Sequence, residues 1–191
     1  MEQLHVEKQK TDSALAELQL AYEALAISAS KDPLTGIANR REFESQGLKE
    51  AERAKRSSQS LSFMVLDLDN FKKINDQFGH AIGDEVIKTF TQLVEDIWRL
   101  SDVFGRIGGE EFALCLPGTS LDSATGVAER IRASCERTVI ESREGNVTFT
   151  VSISVAAFDV DGDSYKDLLV IADDRMYLAK KQGRNRVVSV S

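Results

Sequence analysis

Apolar and polar positions change period along this 191-residue chain, and each period predicts an element. Residues 2–30 contain no glycine or proline. Leu4, Thr11, Leu18 and Leu25 share one heptad position, and Lys8, Leu15, Tyr22 and Ala29 share the other. From Thr11 onward this spacing predicts a coiled-coil seam, weakest at Lys8 and Thr11. The competing reading is an amphipathic helix lying on the domain. The coiled coil is preferred because so short a helix needs a partner. Asp32-Pro33 ends the segment, since a residue before proline is pushed out of the helical region. Residues 40–57 are charged, with Phe43 and Leu48 spaced for a surface helix. Residues 61–66 read as a buried strand, 70–76 as a short helix, and 83–98 as a longer one. In that longer helix Val86, Ile87, Phe90, Leu93, Val94 and Ile97 face inward. A hairpin over 103–116 and a helix over 121–138 follow, the helix with Val127, Ile131 and Cys135 on one face. Residues 147–157 alternate as one strand through Val147, Phe149, Val151, Ile153 and Val155. A last helix over 165–181 and a short strand over 186–190 complete the pattern. It predicts an α/β fold: a central, mostly antiparallel sheet flanked by helices.

Composition narrows the function. A hydrophobic share of 42% is enough for a real core. The net charge of −7 gives no field that would draw nucleic acid or an anionic membrane surface. A nucleotide would have to be met by locally placed cations and metal. Cys115 and Cys135 have no closely spaced partners, which argues against a disulfide framework or a zinc site and fits a reducing cytoplasm. No apolar stretch is long enough to span a bilayer, and no signal peptide is visible. A helix entering from residue 1 leads us to expect an upstream sensor or receiver domain.

The chemistry concentrates at Gly108-Gly109-Glu110-Glu111-Phe112, between two strand-like runs. Two glycines then two acids predict a turn that holds paired carboxylates at a hairpin tip and lets an anion approach the main chain. Such a pair suits a divalent metal. Asp67 ends the apolar run 63–69, where the sheet would hold its carboxylate rigidly. If the hairpin lies beside that strand, Asp67 and Glu110 converge. Main-chain N–H groups at Asn70, Phe71 and Lys72 open a short helix and can cradle phosphate. Lys180 and Arg184, four apart, share a helix face or its end and can reach the same phosphates.

Five blocks occur in register: Asp32-Pro33-Leu34-Thr35-Gly36, Asp67-Leu68-Asp69-Asn70-Phe71-Lys72-Lys73-Ile74-Asn75, Gly79-His80-Ala81-Ile82-Gly83-Asp84, the Gly-Gly-Glu-Glu-Phe turn, and Lys180-Lys181-Gln182-Gly183-Arg184-Asn185. In that order, over residues 31–188, the chain resembles the GGDEF-domain family, the bacterial diguanylate cyclases, in its GGEEF variant. The resemblance implies a β-α-α-β-β-α-β core similar to class III nucleotidyl cyclases. It divides the chain into a coiled-coil stalk, residues 1–30, and a cyclase domain, residues 31–191.

It further implies the condensation of two GTP into cyclic di-GMP and two pyrophosphates. Two Mg²⁺ per active site, with Mn²⁺ as an alternative, would be held by Asp67, the Leu68 carbonyl and Glu110. Glu110 is the implied base, with Glu111 beside it to assist; Asp69 is the weaker metal candidate and can serve folding instead. Asn75 and Asp84 match the guanine-binding pair, and a carboxylate there can accept from guanine N–H groups that adenine lacks. His80 lies between them, with a structural role as its alternative. Gly108, Gly109, Lys180 and Arg184 complete the implied substrate contacts.

Arg99-Leu100-Ser101-Asp102 matches the family's RxxD site, at which cyclic di-GMP inhibits its own synthesis. Arg130 stands where a partner domain's arginine completes that site. Each domain would bind one GTP, so two must face each other, and a symmetric homodimer held by the N-terminal helix is expected. The alternative is an inactive domain that binds nucleotide as a receptor or dimerisation module; loss of Asp67, Glu110 or the turn glycines would signal it, and all are present. Ala38 departs from the family, which usually has proline there.

Overall fold

The computed structural model describes residues 15, 30–158 and 160–190. In chain order the elements are β1 (Ala38–Asn39), α1 (Arg40–Ser57), β2 (Leu61–Leu68), α2 (Phe71–Phe78), α3 (His80–Glu95), β3 (Val103–Arg106), β4 (Glu111–Pro117), α4 (Leu121–Arg137), β5 (Val139–Ser142), β6 (Gly145–Thr148), β7 (Val151–Ala157), α5 (Tyr165–Lys181) and β8 (Val187–Val188).

β2 is central, and its two-residue alternation sets the layers. Met64, Leu66 and Leu68 join the core under α2, α3 and α4, with Phe90, Phe112 and Ile131. Phe63 and Val65 point to the opposite core, with Phe43 of α1 and Tyr165, Leu168 and Ala172 of α5. Burial on both faces explains why the strand reads as a continuous apolar run. The six-stranded sheet has the order β1-β3-β4-β2-β7-β8. β2 is antiparallel to both β4 and β7, while the short outer strands β1 and β8 run parallel to β3 and β7. The mostly antiparallel sheet flanked by helices is therefore as expected.

Two expectations change. The alternation over 147–157 is one run in sequence but two strands in space. β6 pairs with β5 in a separate two-stranded sheet, and β7 pairs with β2. Val147, Phe149 and Val151 are all buried in the same core, so the apolar pattern runs unbroken across the point where the hydrogen-bond partner changes. The third helix also begins earlier than predicted, at His80 rather than residue 83. Among the described residues, no helix is long and apolar enough to cross a membrane. The coiled-coil positions lie outside the described residues except Leu15, which is helical and exposed.

Candidate active site

The alternation of β2 continues beyond its last paired residues, and it puts Asp67 and Asp69 on the face covered by α5. The Lys180 Nζ near the end of α5 donates to both, 2.5 Å from Asp67 Oδ1 and 2.9 Å from Asp69 Oδ1. The two carboxylates are otherwise unlike. Asp69 is buried and also accepts from the Thr150 hydroxyl at 2.8 Å, the Ser152 hydroxyl at 2.7 Å and the Asn185 N–H at 2.9 Å. Burial raises its pKa, but the Ser152 hydroxyl, Lys180 and the Asn185 N–H outweigh that and hold the carboxyl below its usual range. Asp69 is thus a structural hub, joining β2 to Thr150, Ser152, Lys180 and Asn185. Asp67 faces the cleft.

The turn brings the second acid. Asp67 lies opposite Glu111 in the β2–β4 register, and the Leu68 N–H donates to the Glu110 carbonyl at 3.1 Å. Glu110 is half-buried and Glu111 exposed. Burial, then the nearby negative charge of Asp67, pushes the Glu110 carboxyl up. The two carboxylates predicted to converge do so. Gly108 has no left-handed backbone; a Cβ there would sit 2.3 Å from Oε2 of the exposed Glu111, whose flexible end would have to swing away. Gly109 faces open space.

Two residues missed in the sequence hold this turn. Arg106 donates from Nη2 to the Gly109 carbonyl at 2.7 Å, and from Nη1 to Asp32 Oδ1 at 3.2 Å. Asp32 in turn accepts from the Thr35 hydroxyl at 2.7 Å. Burial raises Asp32, but Thr35 and Arg106 outweigh it and leave the carboxyl lowered. Asp32 therefore anchors the turn through Arg106. Asp32 stood in a matched block, but the separation of 74 residues concealed its partner.

Asp67, Leu68, Asn70, Phe71, Lys72, Glu110, Lys180 and Arg184 line one open cleft of about 400 Å³, together with Lys73 and Asp76. Asn70 has a left-handed backbone, φ 56°, and makes no side-chain cap, so the first-turn N–H groups of α2 are not met by its side chain. Phe71 itself is buried in the core, so only its main chain can meet a ligand. Lys180 is on α5, but Arg184 lies beyond it, with φ 67°, so the two share the helix end and not a helix face. Lys180 sits on the two carboxylates, Asp67 and Asp69.

Asn75, His80 and Asp84 lie beside this cleft rather than in its lining. Asn75 packs on Gly83, where a Cβ would come 1.8 Å from Asn75 Oδ1, and Asp84 follows directly. His80 and Asp84 are exposed, one turn apart at the start of α3. Asp102 of the RxxD segment is buried and accepts from the Arg99 N–H at 2.8 Å, which fixes the turn and leaves the Arg99 side chain exposed. Arg130 lines a separate cavity of about 470 Å³ with Ile97, Glu129, Ala133, Ser134 and Arg137; Arg99 is not in that lining.

The donor set fits a metal shared with a phosphate ligand. Among the described residues, no three His, Cys, Asp or Glu side chains form a metal cage. Asp67, Glu110 and the Leu68 carbonyl offer oxygens only, and Mg²⁺ commonly takes one or two carboxylates and draws the rest from water and phosphate.

Comparison with known proteins shows the family. The family model "Diguanylate cyclase, GGDEF domain" matches residues 29–186. Diguanylate cyclase DosC of Escherichia coli is 39% identical over 170 residues, covering 88% of this chain and 37% of DosC. The chain spans about two-fifths of the length of the curated relatives it matches. The crystal structure of the coiled coil and GGDEF domain of DgcB from Caulobacter crescentus, in complex with c-di-GMP, is 27% identical with a TM-score of 0.92, covering 98% of this chain and 99% of that one. The active GGEEF domain of a diguanylate cyclase from Vibrio cholerae is 33% identical with a TM-score of 0.75, covering 80% and 97%.

Proposed function

The chain belongs to the diguanylate cyclase GGDEF-domain family, and on that premise we propose that it condenses two GTP into cyclic di-GMP and two pyrophosphates. The observation that carries the reading is the meeting of Asp67 and Glu110 in one cleft with the start of α2, Lys180 and Arg184. Mg²⁺ or Mn²⁺, two per site, would be held by Asp67, the Leu68 carbonyl and Glu110. When bound, the metal neutralises triphosphate charge and polarises the α-phosphate. The chain's own groups do the rest. Asn70, Phe71 and Lys72 present main-chain N–H groups to phosphate, and Arg184 adds an exposed cation. Gly109 leaves the turn open to the nucleotide, and Gly108 lets Glu111 fold against it. Glu110 would take the proton of the attacking ribose hydroxyl, with Glu111 beside it to assist. Asn75 and Asp84 select guanine through its N–H edge, and His80 flanks them.

One domain holds one GTP, so the product needs two domains face to face. We assign that role to a homodimer joined by residues 1–30, with the cyclase domain at 31–191 and an upstream sensor or receiver domain setting its phase. Arg99 and Asp102, with Arg130 from the second domain, form the inhibitory product site. The setting is the cytoplasm. Incubation of the purified protein with GTP and Mg²⁺ tests the reading by product identity: cyclic di-GMP is expected, and bound but unconverted GTP would mark a receptor.

A further inference from the structure

We infer that Lys180 is a resident counter-ion of the metal site, compensating the charge of Asp67 until metal and nucleotide arrive and staying docked on Asp69 when Asp67 is released. The inference rests on the proposed reading for the metal, and goes beyond a phosphate-contact role for this lysine.

Two observations and one property of lysine carry it. The ammonium is shared between two carboxylates, at 2.5 Å from Asp67 Oδ1 and 2.9 Å from Asp69 Oδ1. The two partners differ in how firmly they are built in. The Asp69 side chain is 1% exposed and fixed by two hydroxyls and a main-chain N–H, whereas that of Asp67 is 17% exposed and opens on the cleft. Finally, lysine is a compact point charge on a flexible stem, so it can let go of one carboxylate while keeping the other.

Without Lys180, Asp67, Asp69 and Glu110 would gather three negative charges at one end of the sheet. With it, the acidic cluster is partly neutralised and its carboxylates keep their positions. A divalent cation must compete with the ammonium for Asp67, so a bare metal gains little. A metal that brings a triphosphate gains more, because the freed ammonium lies in the lining of the same cleft, where it can meet the phosphates. The site would therefore favour the metal–nucleotide complex over either alone.

The test is a calorimetric titration of Mn²⁺ into nucleotide-free protein. Wild type should bind weakly. Lys180→Met should bind Mn²⁺ about tenfold more tightly, equivalent to about 1.4 kcal/mol, and adding Asp67→Asn should abolish that gain. Unchanged or weaker binding by Lys180→Met, in protein that melts cooperatively, would overturn the inference. If that variant does not fold, crystal structures of wild type decide: with Mn²⁺ and a non-hydrolysable GTP analogue the Lys180–Asp67 contact should open while Lys180–Asp69 persists. A Lys180–Asp67 contact that stays closed would overturn it. The functional reading fails separately, if wild type makes no cyclic dinucleotide from GTP; the titration still decides the role of Lys180.

Discussion

Helix α5 carries two buried or half-buried cations five residues apart, and they sit in opposite kinds of site. Arg175 is sealed. Its side chain is 5% exposed, and it donates through two nitrogens to Asp161 at 2.6 and 2.8 Å and to the Val155 carbonyl at 2.7 Å. Lys180 is 23% exposed and divides one ammonium between two acids at the cleft. The rigid guanidinium fork fixes the link between α5 and β7, while the flexible ammonium leaves a carboxylate that can be released. Cations near one another on one helix are thus separated into scaffold and site by burial and head-group shape.

The sharpest break in that contrast comes from the open site. Glu110→Gln should lower turnover by about 10²–10⁴-fold, the range for a general acid–base group, with little change in melting temperature. A rate within twofold of wild type would remove Glu110 from both its roles. The sealed site should respond the other way. Arg175→Met leaves the Asp161 side chain, 8% exposed, without its cation and should cost about 3 kcal/mol in urea unfolding. The rate per folded molecule should stay close to that of wild type; a large rate loss at full folding would make Arg175 part of the active site.

A smaller effect lies at the loop that docks on Asp69. Asn185 has φ 45°, and its side chain donates to Glu136 and accepts from Arg132. Asn185→Ala should cost about 1–2 kcal/mol from the left-handed backbone, and Asn185→Gly less, because glycine accepts positive φ. Equal losses by denaturant titration would place the whole effect in the side chain. The last test is acidity. Burial raises Asp161, but Arg175 and the Ala157 N–H outweigh it and leave the carboxyl lowered. A lowered folded pKa means stabilisation that is complete above the unfolded value and lost as pH falls through the folded one. The stability gap between wild type and Asp161→Asn should therefore be constant near neutrality and close below about pH 4. A gap that widens in acid would reverse the sign of the pairing.

How much was legible follows from what each feature depends on. Asp67, Glu110 and the glycine turn could be located because a strand end and a tight turn are local events with local residue requirements. The buried strand β2 was legible through its apolar run. The β5–β6 sheet was not, because alternation reports which way side chains face and is silent on which strand supplies the hydrogen bonds. Arg106 and Asp32 each stood near a visible motif, yet their contact crosses 74 residues. Arg175 and Asp161 fell within ordinary helix and loop composition, with no mark of burial.

By itself the sequence determined the order of the helices and of the main-sheet strands β2, β3, β4 and β7, the two-faced central strand and the acidic, basic and amide side chains on offer for a site. Those rest on periodicity, backbone preference and side-chain chemistry, all of which act within a few residues. Only the tertiary structure decided that Lys180 rests on Asp67 and Asp69, that Asp69 is a hub, and that Arg175 is sealed while its neighbour is open. Those outcomes depend on which distant groups are excluded from water together, and desolvation is a property of the assembled layers that no local stretch of chain contains.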